Sequence, residues 1–178
     1  MTEDSASALA AATDELALAR AVEAARRSLA KGEFPVGAAL AIGDQILDVA
    51  HNAIASNRSL IAHAEVQLLT RHAGPLMSAW ERGQRAATLY ATLEPCLMCL
   101  SACVHSRIAR VVFACRDPFA GGARTQPPGD WYRTNWPRLE HHPKFEAESA
   151  ALLLRYVQGR PGWDTFRASL EAVLKTHR

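Results

Sequence analysis

Two short stretches carry the residue types from which a reactive centre can be built: His63-Ala64-Glu65 and Pro95-Cys96-Leu97-Met98-Cys99. Cys96 and Cys99 are three apart, so on a helix their thiols project from one side of a turn, and Pro95 suits the opening of that helix. A helix start also offers free backbone N–H groups and the positive end of the helix dipole, which lower thiol pKa and favour the thiolate that a metal binds. Two thiolates and the His63 imidazole make three ligands, and such a set with a fourth place left for water is the pattern of a catalytic zinc, one ion per chain. Water so held has a pKa near 7 and attacks electron-poor carbon. Glu65 is then the natural base, taking the water proton and delivering it to a ring nitrogen and a departing amine. His63 and Glu65 stand about 200° apart around a helix, so they converge only if the tip of that helix, rather than its side, points at the metal.

The same cysteines would also serve a structural zinc completed by Cys103, or be buried apolar thiols. Neither reading accounts for His63-Ala64-Glu65 and Pro95 together. Cys103 and Cys115 read as core residues, and His51, His72 and His105 as surface or satisfied interior groups. His141-His142 is an adjacent pair in a loop region and is not assigned to the metal.

The elements that must position these residues follow from periodicity. Leu16, Ala17, Ala21, Ala24, Ala25 and Leu29 recur at helical spacing from about Asp14, and Gly32 is a natural stop. Val36–Ile42 and Gln45–His51, joined by Gly43-Asp44, read as a hairpin. A helix is expected over Ala62–His72, stopping before Gly74-Pro75, with a second helical stretch from about Leu76 to Arg82. Ala87–Thr92 reads as a third strand, Cys96 to about Ser106 as a helix, and Ile108–Ala114 as a fourth strand. That strand–helix–strand succession predicts a parallel pair with helices on the faces of the sheet. From Asp117 to Pro143 the text turns to Gly, Pro and aromatics and reads as a long loop, which in a compact domain is usually functional or disordered. Phe145–Val157 and Trp163–Lys175 return to helical patterns.

The chain has 178 residues, 49% of them apolar, enough for one domain with a buried core. We expect a flexible segment over 1–12, a domain over 13–158 and a C-terminal helical extension over 159–178. Twenty Lys and Arg against eighteen Asp and Glu is too even a balance to imply nucleic-acid binding or to exclude a local basic face. No run approaches the roughly 18–20 apolar residues of a membrane span, and the start MTEDSASALAAATDE lacks a basic region. With four cysteines, two of them in a Cys-x-x-Cys, metal or catalysis is favoured over a disulfide framework. A soluble, cytoplasmic protein without membrane partners is expected.

His-x-Glu followed by Pro-Cys-x-x-Cys is a signature of zinc nucleobase deaminases, and the sequence resembles the cytidine deaminase superfamily, in particular the branch holding bacterial tRNA adenosine deaminases and guanine deaminases. The resembling text extends over Glu33-Phe-Pro-Val-Gly-Ala-Ala39, His51-Asn52, Thr88-Leu-Tyr-Ala-Thr-Leu-Glu-Pro-Cys96 and His105-Ser-Arg-Ile-Ala-Arg-Val-Val-Phe113. The resemblance implies a three-layer α/β/α fold around a mixed sheet of about five strands, with zinc on His63, Cys96 and Cys99. It implies that Asn52 hydrogen-bonds the substrate base or sugar and that Phe34, Pro35 and Val36 shape the pocket. The Ala64 N–H, at the helix tip, is a candidate contact to the substrate carbonyl or leaving group. Glu94 and Asp117, flanking the site in sequence, are candidates for specificity. Relatives of this kind form dimers, so a homodimer is expected.

The text departs from its tRNA-acting relatives in Thr125–Trp136, in the segment after Val157, and in Asn57-Arg-Ser-Leu-Ile61 before Ala62-His63. Trp131, Tyr132 and Trp136 would make a lid over a planar heterocycle, with Trp131 and Trp136 touching substrate, or else a patch anchoring the loop. A lid suits a small base or nucleoside, whereas a folded RNA loop needs an open mouth. The expectation is therefore hydrolytic deamination of a small amino-heterocycle with release of ammonia. Deamination of adenosine in a tRNA anticodon loop is the alternative, and a non-catalytic nucleic-acid-binding member of the same fold is a further one.

Overall fold

The computed structural model describes residues 3–177. Its first helix, α1 (Glu3–Ala30), starts well before Asp14. Residues 3–12 of the segment expected to be flexible lie in this helix, while Met1 and Thr2 fall outside the described residues. Burial begins at Thr13 and follows Asp14, Ala17, Leu18, Ala21, Val22, Ala25 and Ser28, the stripe a helix buries when it lies along a sheet. Leu16, expected on that stripe, is 50% exposed because Leu18 and Val22 define the buried line.

The hairpin β1 (Gly37–Ile42) and β2 (Gln45–His51) is antiparallel, with a bulge at Leu40/Ala41. Gly43 supplies the positive φ its turn requires. After it come α2 (Ala64–Arg71) and α3 (Ala73–Glu81). Gly74 and Pro75 were expected to separate these helices but lie in the first turn of α3, where proline loses no hydrogen bond, and the break falls instead at His72. β3 (Ala87–Leu93), α4 (Leu97–His105) and β4 (Arg110–Cys115) form the expected unit, with β3 and β4 parallel.

Two elements arise inside the stretch read as a loop, α5 (Gly129–Asn135) and β5 (Arg138–His141). The chain closes with α6 (Glu146–Val157) and α7 (Asp164–Thr176). β5 joins the edge parallel to β4, giving a five-stranded mixed sheet in the order β2-β1-β3-β4-β5. Alternation sorts its side chains between two layers. Ala39, Ala41, Tyr90, Val112 and Ala114 pack with Ala17 and Leu18 of α1, and Ala38, Leu40, Leu89 and Val111 pack in a cluster with Leu68 of α2 and Leu100 of α4. α6 packs on α1 and β4, and α7 on α6. The result is a three-layer α/β/α domain whose two parallel central strands end at the same edge, where α-helices that follow parallel strands place their N-termini.

α1 approaches β1 closely at Gly37. A Cβ there would overlap the Ala21 carbonyl and stand 2.8 Å from the Ala25 nitrogen, so α1 lies on β1 backbone to backbone. Among the described residues no helix is long and apolar enough to cross a membrane.

Candidate metal centre and pocket

His63 and Cys96 are the N-cap residues of α2 and α4. An N-cap side chain lies outside the helical cylinder at the end where backbone N–H groups are unpaired, and here the two caps face one another. His63 Nδ1 stands 3.8 Å from Cys96 Sγ and 3.5 Å from Cys99 Sγ, and the two sulfurs are 3.6 Å apart. A tetrahedron with Zn–S and Zn–N bonds of about 2.3 and 2.0–2.1 Å has edges of about 3.6–3.8 Å, so the three donors fit that ion. They are the one such cluster of three among the described residues, and Cys103, buried in the core, is not part of it.

The three donors polarise one another. The Cys99 thiol and the His63 ring stabilise a thiolate on Cys96, whose pKa falls to about 4 against the opposing effect of burial. Cys99, in contact with Cys96 and buried, is shifted upward. His63 is raised, chiefly by its contact with Cys96. Burial pushes Cys103 upward and Cys115 up to about 12, as expected for inert core thiols.

Glu65, in the first turn of α2, is 3% exposed, and its Oε2 has no hydrogen-bond partner. Burial raises its carboxyl pKa, opposed by its own N–H and by His63. The second unpartnered polar atom of the site is Asn52 Nδ2, just past β2. Both residues line a cavity of about 180 Å³ together with His63 and Cys96. That volume is small beside the roughly 300–1,000 Å³ of drug-sized clefts, and it is sized for one ring system.

The other expected site residues divide sharply. Phe34, Val36, Glu94 and Asp117 line the cavity. Pro35 is buried but does not line it. Ala64 is buried between His63 and Glu65, with its N–H in the turn that helix geometry leaves without an internal partner. Glu94 is spent on the wall: Oε2 accepts from Asp117 N–H at 3.1 Å and Oε1 from Ala123 N–H at 2.9 Å. Asp117 in turn accepts from the N–H groups of Phe119 and Ala120, and burial raises its pKa against those bonds. Gly122 N–H donates to Pro95 carbonyl, so the 117–123 segment is fastened to the metal-bearing turn.

Trp131 and Trp136 are not at the site. Trp131 packs on His105 at 5.1 Å and flanks the Arg107 guanidinium opposite Trp80, while Tyr132 bonds Ser101 and His105. Trp136 packs against the margin of the core. His105 ends α4 and Cys96 begins it, so the aromatic cluster lies about 13 Å along that helix from the metal donors. The lid expected of this loop is thereby corrected to the anchoring patch: seven residues of α5 bring its rings onto the wrong end of α4. The aromatic part of the pocket comes instead from Phe34, Phe119, Trp163 and Phe166. Trp163 and Phe166 carry no local signal that marks them for the pocket, although the segment after Val157 departs from the relatives. Glu33 braces the pocket from outside its lining. It is 3% exposed, and its carboxylate accepts from Ala55 and Ser56 N–H, fixing the loop that carries Asn52 and Ile54.

The sheet, the paired helix caps and an enclosed N/S donor set with a neighbouring acid define a metal-dependent hydrolase. Residues 11–115 match the zinc-binding region of cytidine and deoxycytidylate deaminases. The chain belongs to that family, and is an enzyme acting on C–N bonds. It is 42% identical over 112 residues to the tRNA-specific adenosine deaminase of Bacillus subtilis (strain 168), covering 63% of this chain and 68% of that protein. It is 35% identical over 126 residues to the enzyme of the same name from Aquifex aeolicus (strain VF5), covering 71% and 79%. Among solved structures, a tRNA:A34 deaminase superposes with TM-score 0.59 at 26% identity, over 72% of this chain and 98% of that one. Guanine deaminase from Nitrosomonas europaea superposes with TM-score 0.58 at 21% identity, over 79% and 82%, a likeness of fold.

Proposed function

We propose that the chain hydrolyses the exocyclic amine of adenosine held in a tRNA anticodon loop, releasing ammonia and leaving a ring carbonyl. The reading rests on one observation about chemistry, the unpartnered Glu65 oxygen beside a His/Cys/Cys cluster in a cavity sized for one ring. For the substrate it rests on the two tRNA-specific relatives, one of them 42% identical. The main argument for a small free substrate, a lid formed by Trp131 and Trp136, has no counterpart at the pocket.

His63 Nδ1 and the sulfurs of Cys96 and Cys99 would hold the zinc. Bound there, it supplies Lewis-acid activation of water near neutral pH. Glu65 takes the water proton on Oε2, passes it to a ring nitrogen as the water oxygen bonds the amine-bearing carbon, and carries the second proton to the departing amine. The C–N bond breaks and ammonia leaves. Asn52 Nδ2 donates to an acceptor on the base or sugar, which would satisfy its orphaned hydrogens. Phe34 and Val36 hold the ring's apolar surface, and the Ala64 N–H faces the developing charge at the helix tip.

A free nucleobase or nucleoside is the second reading, and Trp163 and Phe166 at the pocket favour it, since α7 narrows the approach. Ammonia release measured on an adenosine-containing anticodon stem-loop, beside adenine, guanine, cytosine and their nucleosides, tests both. Turnover of the stem-loop above all others is the expected result, and turnover of a free base or nucleoside alone would overturn the tRNA reading. A homodimer belongs to the same proposal. Leu60 (84% exposed), Ile61 (59%), Leu97 (50%) and Phe119 (68%) flank the metal donors in sequence or line the pocket, and a second copy would cover apolar surface of that kind.

A further inference from the structure

The metal donors end at Cys99, but part of the pocket's aromatic wall comes from α7, beyond the family-matched residues 11–115. Trp163 is the N-cap of α7, and Phe166 sits in its first turn, 3% exposed. Phe34 stacks on Trp163 with centroids 5.5 Å apart and planes 24° apart, and Phe166 lies 6.3 Å from Phe34 and 5.9 Å from Trp163. The three rings pack as one cluster. It is braced from behind by Tyr156 of α6, edge-on to Phe34 at 5.4 Å, with the Arg160 guanidinium 4.0 Å from the Tyr156 ring centroid. The link between α6 and α7 contains Gly159 and Gly162, both at positive φ, which route the chain back so that Trp163 meets Phe34.

We propose that Trp163 and Phe166 hold the reacting ring by its face and set the depth to which it enters. Aromatic rings beside a hydrogen-bonding floor hold a planar heterocycle by its face, whatever its edge substituents, and leave discrimination among edges to Asn52. Trp163, partly exposed, is the outer of the two α7 rings and the one an entering ring meets; Phe166 is fixed in the core and sets the depth. Neither touches a proton in flight, so their contribution belongs to binding rather than to chemistry. The proposal rests on the pocket being the seat of the reacting ring, and not on that ring belonging to tRNA.

The test has two arms. In the first, kcat and KM are measured for Trp163→Ala and Trp163→Phe with whichever substrate the ammonia screen identifies. Trp163→Ala is expected to raise KM about tenfold or more with kcat within about threefold, and Trp163→Phe to restore KM. A merely structural role would lower kcat, zinc content and melting temperature together without rescue by Phe, and that pattern overturns the proposal. The second arm needs no turnover. Trp163 is the one of four tryptophans that lines the pocket, so adenosine, guanine, cytosine and the anticodon stem-loop are titrated into Glu65→Gln protein while tryptophan emission is followed. Saturable quenching by at least one probe, absent when Trp163→Phe is added, is expected. No Trp163-dependent signal from any probe overturns the proposal. A signal from a small ring, with no turnover of the stem-loop, would overturn the tRNA reading and leave the wall in place.

Discussion

A carboxylate enclosed beside three metal-type donors, with one oxygen bonded to nothing, costs folding free energy unless the site uses it. Glu65 is that residue, and replacing it separates holding a metal from moving protons. Glu65→Gln is expected to keep about one zinc per chain by metal analysis while turnover falls by about 10²–10⁴. Cys96→Ala or Cys99→Ala is expected to lose the zinc itself; a metal-free, stable wild type would refute the centre altogether. Glu94 shows how two carboxylates in one pocket differ. Both its oxygens accept from the N–H groups of Asp117 and Ala123, so it braces the wall of the pocket it lines. Glu94→Gln turns one acceptor into a donor facing a donor. The expected result is a KM raised several-fold with zinc retained, and unchanged kinetics would show that the 117–123 segment does not depend on it.

At the scale of elements, legibility followed sequence distance. His63-Ala64-Glu65 and Pro95–Cys99 could be read because each is a local pattern at a helix start, and because convergence of two helix tips is a single geometric demand that the parallel β3–α4–β4 unit meets. Trp163 and Phe166 could not, because their approach to Phe34 depends on the turn at Gly159–Gly162 and on the packing of α7 against α6. Periodicity gives only that α7 is a helix. Trp131 and Trp136 misled for the complementary reason: ring type showed that they pack, and nothing local showed at which end of α4. α5 has no buried residue and β5 only four residues of mixed polarity, so neither carries the stripe or alternation by which an element announces itself. Gly37 likewise hid its purpose within an ordinary apolar strand. Since a side chain there would collide with the backbone of α1, Gly37→Ala should destabilise the fold by about 1–3 kcal/mol or more, read as a lower midpoint in urea. A neutral substitution would mean that α1 is free to lift from the sheet.

Across the whole molecule, the first helix is tied to the sheet by ions as well as by packing. Asp14 accepts from Tyr90 at 2.8 Å and from Arg110 at 2.7 and 2.5 Å, and Arg110 also bonds Glu140 on β5 at 2.5 Å. Burial would raise the Asp14 pKa, but the Arg110 and Tyr90 bonds outweigh it and hold the carboxyl below its ordinary value. Glu140 is lowered chiefly by Arg110. A carboxyl depressed on folding contributes stability above its unfolded pKa of about 4, and that stability is lost as pH falls through the folded value. Thermal melts should therefore hold steady down to about pH 5 and drop in more acidic buffer, and Asp14→Asn should differ from wild type at pH 7 by more than at pH 3. An equal difference at both pH values would assign the effect to packing. Sedimentation should find a dimer that Leu60→Asp with Ile61→Asp converts to monomer; a wild-type monomer would contradict the proposed assembly. Finally, the ligand-type residues all lie in the first hundred positions, while Trp163 and Phe166 come close to the end. A ribosome delivers them in that order, so the zinc donors of each newly made molecule exist before Trp163 and Phe166 do, and the α7 side of the pocket is the last part of the site to be synthesised.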